Sequence, residues 1–285
     1  MKTTCNVLAG LAAVLLFLGY LGHLHPLFDA IAIGRWVALY ALLAFLFFRA
    51  TLSRRFLTAA LPLAAIVLTF AVHRLGLAGE DGPVRVYTKN LLYLNTDMAP
   101  IVTDIRKANP DIVVLQEVSA RNNRILTDLK SSHPYLSECP WQGWNGMAIL
   151  SRWPLADAEK RCSRNRALMA VKVVGPDGAF WMIGAHLQHP WPDIQWPLLE
   201  ESLPVLDDLD ANAIVAGDFN TLYWTAAAQK VGNLTGTRPI RTKRPTFILW
   251  NVGLHLDQVW ASYGRAHVRP RFGSDHRGIV ADVWP

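Results

Sequence analysis

The stretch AIVAGDFN, residues 213–220, runs four apolar residues into a glycine and then an acid and an amide. An apolar run of this length bounded by Gly reads as a buried strand. Asp218 and Asn220 then stand at its end, where an ionised carboxylate is costly unless something pairs with it. The start of a following helix, capped by Asp218, is one such partner.

Working outward, the same pattern recurs. A strand over 84–90 ends in Asn90, and a buried strand over 111–117 ends in Gln116 and Glu117. A hairpin pairs 168–174 with 179–187 around Gly175-Pro176-Asp177-Gly178, and its second strand finishes at His186. Asp257 lies inside the apolar run 254–260, and Asp275-His276 precedes a last strand over 278–283. Each residue has a plain structural reading: Asn90 as a turn residue, Glu117 and Asp275 as solvated carboxylates, His186 as a hydrogen-bonded core histidine, Asp257 as the partner of an arginine. Their joint occurrence carries more weight, because binding and catalytic groups concentrate where loops leave a rigid scaffold.

The rest of the soluble part alternates short strands with amphipathic helices. Helices are expected over 98–107, 122–130 and 195–209, the last kinked at Pro204, and strands over 146–151, 246–249 and 255–260. Interleaved helices and strands, with strands dominating later, suit two packed sheets with helices outside.

In order, TKN, LQEV, GMAILSRWP, GAHLQHP, AGDFN, LDQVW and GSDHRG resemble the endonuclease/exonuclease/phosphatase superfamily, of the deoxyribonuclease I-like kind, over residues 83–285. The resemblance implies a four-layer α/β sandwich, two mixed sheets flanked by helices, here preceded by transmembrane helices. It implies metal-assisted attack of water on a phosphoester, with Mg²⁺ or Mn²⁺ held by oxygen donors from Asn90, Glu117 and Asp275. Asp218 would orient or deprotonate the water, and Asn220 would hold the phosphate or the Asp. His276, oriented by Asp257, would contact the phosphate or transfer a proton, and His186 would donate to a phosphate oxygen. Some repair endonucleases of the family carry an acid two residues after the first-strand Asn; here that residue is Leu92, which leaves one or two metals open. The competing reading is a membrane-tethered binding module on an inactive version of the fold.

Residues 5–24 contain no Asp, Glu, Lys or Arg and are long enough to cross a bilayer. Further apolar segments over 27–48, interrupted by Arg35, and 56–72 complete a membrane region over 1–75, joined by a linker over 76–82. Lys2, Arg49, Arg54 and Arg55 flank the spans on one side, and the loop 22–26 has no Lys or Arg. The positive-inside rule then places everything after about His73 on the extracytoplasmic side, in a membrane of the bacterial inner-membrane type.

The net charge of +6 would point to a polyanion partner, but six basic residues against Asp29 alone put +5 of it in residues 1–75. Cys139 and Cys162 either pair in an oxidising compartment or remain two thiols. The phosphoester is expected to be a nucleic acid or a phospholipid head group. Trp141, Trp144, Trp191 and Trp196 suit a membrane interface, base stacking or simple packing. The basic clusters Lys160-Arg161-Arg164-Arg166 and Arg238-Arg241-Lys243-Arg244 would follow a nucleic-acid backbone or form solvated faces.

Overall fold

The computed structural model describes residues 2–52, 64–65, 79–140, 145–191 and 194–285. The chain divides into two units, Met1–Ala78 with Trp224–Ala227 and Gly79–Tyr223 with Ala228–Pro285.

In the first unit α1 (Lys2–Tyr20) has the length and hydropathy of a membrane span or of a signal sequence. The segment expected as one continuous second span is instead broken into α2 (Pro26–Ala32) and α3 (Arg35–Leu52), bent by 62°. The cause is local. Ile33 and Gly34 donate to carbonyls three residues back, and the regular ladder restarts with Ala38 bonded to Gly34. Arg35 therefore opens a helix instead of interrupting one, and its guanidinium lies 4.6 Å from the Tyr20 ring centroid. The expected third span lies almost wholly outside the described residues.

In the second unit the two-residue period of the strands decides which side chains meet. In β1 (Val84–Asn90), Val84 and Val86 enter the core between the sheets and Tyr87 faces the other way, so Thr88 and Asn90 follow on the inner face. In β2 (Ile112–Val118), Ile112 and Val114 are inner and Val113 and Leu115 outer. These strands pair in parallel and join β3 (Tyr135–Cys139), β4 (Gly146–Ser151), β13 (Tyr263–Val268) and β14 (Ile279–Trp284) in a mixed sheet ordered β13-β14-β1-β2-β4-β3. Its outer face is covered by α4 (Ala99–Ala108) and α5 (Arg124–Leu129), which bury Ile101, Ile105, Ile125 and Leu129 against Tyr87 and Leu115.

The second mixed sheet runs β5-β6-β7-β8-β12-β9 and comprises β5 (Leu155–Cys162), β6 (Leu168–Gly175), β7 (Gly178–His186), β8 (Ala213–Asp218), β9 (Arg238–Ile240) and β12 (Asp257–Ala261). Met182, Ile214, Ala216 and Val259 are its inner residues. A separate hairpin joins β10 (Phe247–Leu249) to β11 (Val252–Leu254). On the outer side lie α6 (Gln195–Ser202), a 3-10 turn (Leu203–Leu206) and α7 (Ala226–Thr235). The result is the four-layer α/β sandwich.

Cys139 and Cys162 form a disulfide, with Cα atoms 5.9 Å apart. It links β3 at the edge of one sheet to β5 at the edge of the other. The expected helix over 195–209 is shorter: α6 ends at Ser202 and Pro204 sits in the tighter turn, because proline cannot donate to a continuing helix. Asp257 opens its strand and does not lie within it.

Candidate active site

One end of the sandwich collects the polar strand ends. On β7, β8 and β12 the inner face continues past Met182, Ala216 and Val259 to Gly184 and His186, to Asp218 and to Asp257. Strand register then sets neighbours: His186 lies opposite Asp218 across the parallel β7–β8 pair, and Asp257 opposite Asp218 across the antiparallel β8–β12 pair. Asn90 arrives from the other sheet, above a buried Gln116–Thr88 hydrogen bond of 3.1 Å.

Glu117 is the exception to the period. As the residue after Gln116 it would point to the outer face, but the register shifts there and Glu117 takes φ 56°. This irregularity turns the carboxylate to the site. Asn90 Nδ2 donates to Glu117 Oε1 at 2.9 Å and to Asp218 Oδ2 at 3.1 Å, and Tyr93 N donates to Glu117 Oε2 at 2.8 Å.

The GDFN turn is explained residue by residue. Gly217 has φ 151°, and a Cβ there would lie 1.9 Å from the Ala185 carbonyl oxygen, so only glycine fits. Phe219 is fully buried and stacks on Trp260 with centroids 5.8 Å apart. Asn220 takes the left-handed conformation that asparagine tolerates, with φ 48°. Its backbone N–H donates to Asp218 Oδ1 at 2.9 Å and its side chain to Leu187 O at 2.9 Å. Asp218 is thus held by the turn that follows it, and its partner is not a helix start.

His276 Nδ1 donates to Asp257 Oδ2 at 2.9 Å, and its Nε2 lies 3.6 Å from Asp218 Oδ2. His186 Nε2 lies 3.8 Å from Glu117 Oε1. Asp275 is exposed and accepts from Ser274 Oγ at 3.4 Å. Every residue expected from the sequence therefore lies at this end, most of them buried.

Several supporting residues carry no signal of their task in the sequence. Thr246 Oγ1 accepts from the backbone N of Leu256 and Asp257 and fixes the start of β12. Ser274, within the GSDHRG motif, donates to Asn90 O and accepts from His276 N. Lys89, fully buried, donates to the carbonyls of Arg271 at 2.7 Å and His276 at 2.6 Å. A lysine one residue before a strand-end asparagine gives no sequence signal of that task.

Electrostatics follow from burial and charge. Burial pulls the His276 imidazole down, but the Asp257 and Asp218 carboxylates outweigh it and raise the group to about 10. Burial lowers Lys89 to about 8 against the opposing pull of Asp257 and Asp275. Burial also raises the Glu117 carboxyl; hydrogen bonds from Asn90 and Tyr93 oppose this, and Asp218 and Asp275 add to it. His186 is held below the ordinary imidazole range by burial, with Asp218 opposing.

Asp218, Asp257 and His276 offer atoms within 4.8 Å of one another that could hold an ion. Yet each ring nitrogen of His276 already faces one carboxylate, so the trio reads as a proton relay. The concentration of negative charge around Glu117, and its oxygen-rich donors, fit a hard divalent cation better, with Asp275 as a further oxygen source, whereas Asn90 Oδ1 accepts from Leu92 N at 3.0 Å. Asn90 Nδ2 bridges Glu117 and Asp218, a position where positive charge is wanted.

Three residues of the basic clusters act as structural ties. Arg161 lies 4.7 Å from the Trp181 ring centroid and donates to Asp207 O, Arg166 donates to Pro140 O, and Arg238 donates to Ser262 O. Trp191 is exposed, whereas Trp141 and Trp144 lie outside the described residues.

A comparison with curated protein sequences returns no match. Solved structures do match in fold. A beta toxin of Staphylococcus aureus with bound magnesium ions has 15% identity and TM-score 0.55, covering 70% of this chain and 99% of the toxin. An AP endonuclease of Archaeoglobus fulgidus has 16% identity and TM-score 0.54, covering 70% and 98%. The 3' phosphatase NExo of Neisseria, bound to a product DNA hairpin, has 17% identity and TM-score 0.55, covering 71% and 100%. The sequence profile of the Endonuclease/Exonuclease/phosphatase family matches residues 79–276, and the chain belongs to that family.

Proposed function

We propose that this protein is a divalent-cation-dependent phosphodiesterase whose site is the strand-end cluster around Asp218. The observation that carries the reading is the continuous chain Asp257–His276–Asp218–Asn90–Glu117, with contacts of 2.9, 3.6, 3.1 and 2.9 Å. The buried Asp257–His276–Asp218 trio, with each member in reach of the next, favours this reading over a binding module on an inactive fold.

Glu117 and Asp275 would hold Mg²⁺ or Mn²⁺, joined by Asn90 only if its Oδ1 leaves Leu92 N, and the ion when bound supplies neutralisation and polarisation of the phosphoester. The other side chains divide the remaining work. His276, between two carboxylates and raised to about 10, is a donor at neutral pH, not a base. Asp218 is then the group that accepts a proton from the attacking water, aimed by Asn220 N and Asn90 Nδ2. His276, oriented by Asp257, and His186 donate to phosphate oxygens as charge develops there.

For the finer placement, we take residues 1–75 as the membrane region and 83–285 as an extracytoplasmic catalytic domain. The apolar α1, the one-sided basic residues and the Cys139–Cys162 disulfide support it. The phosphatase relative bound to a DNA hairpin supports a nucleic acid as one substrate class, and the chain's own apolar α1 supports a phospholipid head group as the other.

The test is a substrate panel with the full chain in detergent and Mg²⁺ or Mn²⁺: DNA, RNA, sphingomyelin, phosphatidylinositol and inositol phosphates. Cleavage of a phosphodiester that disappears with Glu117→Ala supports the reading. Normal cation binding with no cleavage of any member would replace it with the binding module.

A further inference from the structure

The β10–β11 hairpin carries an apolar tip that the site chemistry does not use. Trp250 and Asn251 form its two-residue turn, both left-handed at φ 46° and 67°. A bulky residue in that conformation is strained. Trp250 is 91% exposed. Leu249 and Val252, which flank the turn, lie directly opposite each other by strand register and are 42% and 60% exposed, so three exposed apolar residues sit together at the tip in sequence. Lys243 and Arg244, just before the hairpin, are exposed. The base is anchored on the site: the Phe247 ring packs on His276 with centroids 4.7 Å apart, and adjoining Thr246 holds the Asp257 backbone.

We propose that this tip seats in the interfacial zone of a lipid bilayer, with Lys243 and Arg244 against anionic head groups. Tryptophan favours that zone, and aliphatic side chains gain from leaving water for acyl chains. A nucleic acid would use the flat face of Trp250 by stacking, but it offers little to Leu249 and Val252. The chain's own α1, with the length and hydropathy of a membrane span or a signal sequence, makes a bilayer the surface of fitting chemistry. The inference rests on the proposed function only in taking the neighbouring cluster as catalytic.

The test places a nitrobenzoxadiazole label at Trp250→Cys in full-length protein carrying Cys5→Ser, with the Cys139–Cys162 disulfide intact. The protein is reconstituted in phosphatidylcholine–phosphatidylglycerol nanodiscs with or without doxyl-labelled acyl chains. A label at Asp177→Cys, in the β6–β7 turn, is the reference. The expected result is a blue-shifted, doxyl-quenched label at position 250 and a water-like, unquenched one at 177, with the shift lost when Leu249 and Val252 are changed to Ser. A label at 250 that behaves like the one at 177, or one shielded by duplex DNA but not by lipid, overturns the proposal. Hydrolysis of soluble bis(p-nitrophenyl) phosphate on the same samples separates the two claims. Activity with a water-exposed tip removes this inference alone, and an inserted tip without activity removes the proposed function alone.

Discussion

His276 Nδ1 and Asp257 Oδ2 lie 2.9 Å apart in a site where both residues are buried, and Asp218 faces the other nitrogen of the same ring. An imidazole between two carboxylates is held as its cation. In cation-free protein under chelator, the His276 ring is expected to titrate near 10, read from its imidazole resonances by NMR. Asp257→Asn should lower that value. Titration near the ordinary value of about 6.5 would contradict the assignment of His276 as donor.

The same shift makes stability depend on pH. The folded value of His276 lies above the unfolded one, so its contribution is full below about 6.5 and is lost as pH rises through about 10. Lys89 acts oppositely, because its folded value of about 8 lies below the unfolded value of about 10.4. The chelated protein should therefore lose stability between about pH 6.5 and 8, by up to about 1.4 kcal/mol per pH unit, with the loss partly cancelled above 8. Denaturant midpoints across that range check the sign; a rise from 6.5 to 8 would count against it.

Gly217→Ala should destabilise the fold by about 3 kcal/mol or more, since the added Cβ meets the Ala185 backbone and φ 151° is unsuited to alanine. The neutral outcome, a denaturation midpoint unchanged from the parent, would show that the β7–β8 approach is looser than described.

Replacing Cys139 and Cys162 by Ala should cost roughly 3 kcal/mol, the loop-closure value for a bridge of this span. Urea unfolding of the double variant, compared with the oxidised and reduced parent, measures it. Equal stability of all three would mean that the sheet edges are held without the bridge.

Much of this was legible in the sequence because it depends on short-range rules. The apolar runs of β1, β2, β7 and β8 gave both the strands and, through their polar ends, the site. Polar edge strands were harder. Leu155–Cys162 reads LADAEKRC and Arg238–Ile240 contains a proline, so neither carries the apolar signature of a buried strand. The turning of Glu117 into the site depends on one positive φ, and the tasks of Lys89 and Thr246 depend on loops distant in sequence. No local pattern encodes such partners. The bend at Ile33–Gly34 leaves no mark in the sequence because hydropathy continues across it while the hydrogen-bond ladder does not.

In the proposed cation-dependent phosphodiester hydrolysis, Asp218 takes the proton from the attacking water. This role is tested most directly by the rate on bis(p-nitrophenyl) phosphate with Mn²⁺ for the full chain and for Asp218→Asn, each with and without chelator. The expected loss is about 10²- to 10⁴-fold for Asp218→Asn, with parental activity abolished by chelation. A folded Asp218→Asn protein, or a chelated parent, that hydrolyses at the parental rate would contradict the account.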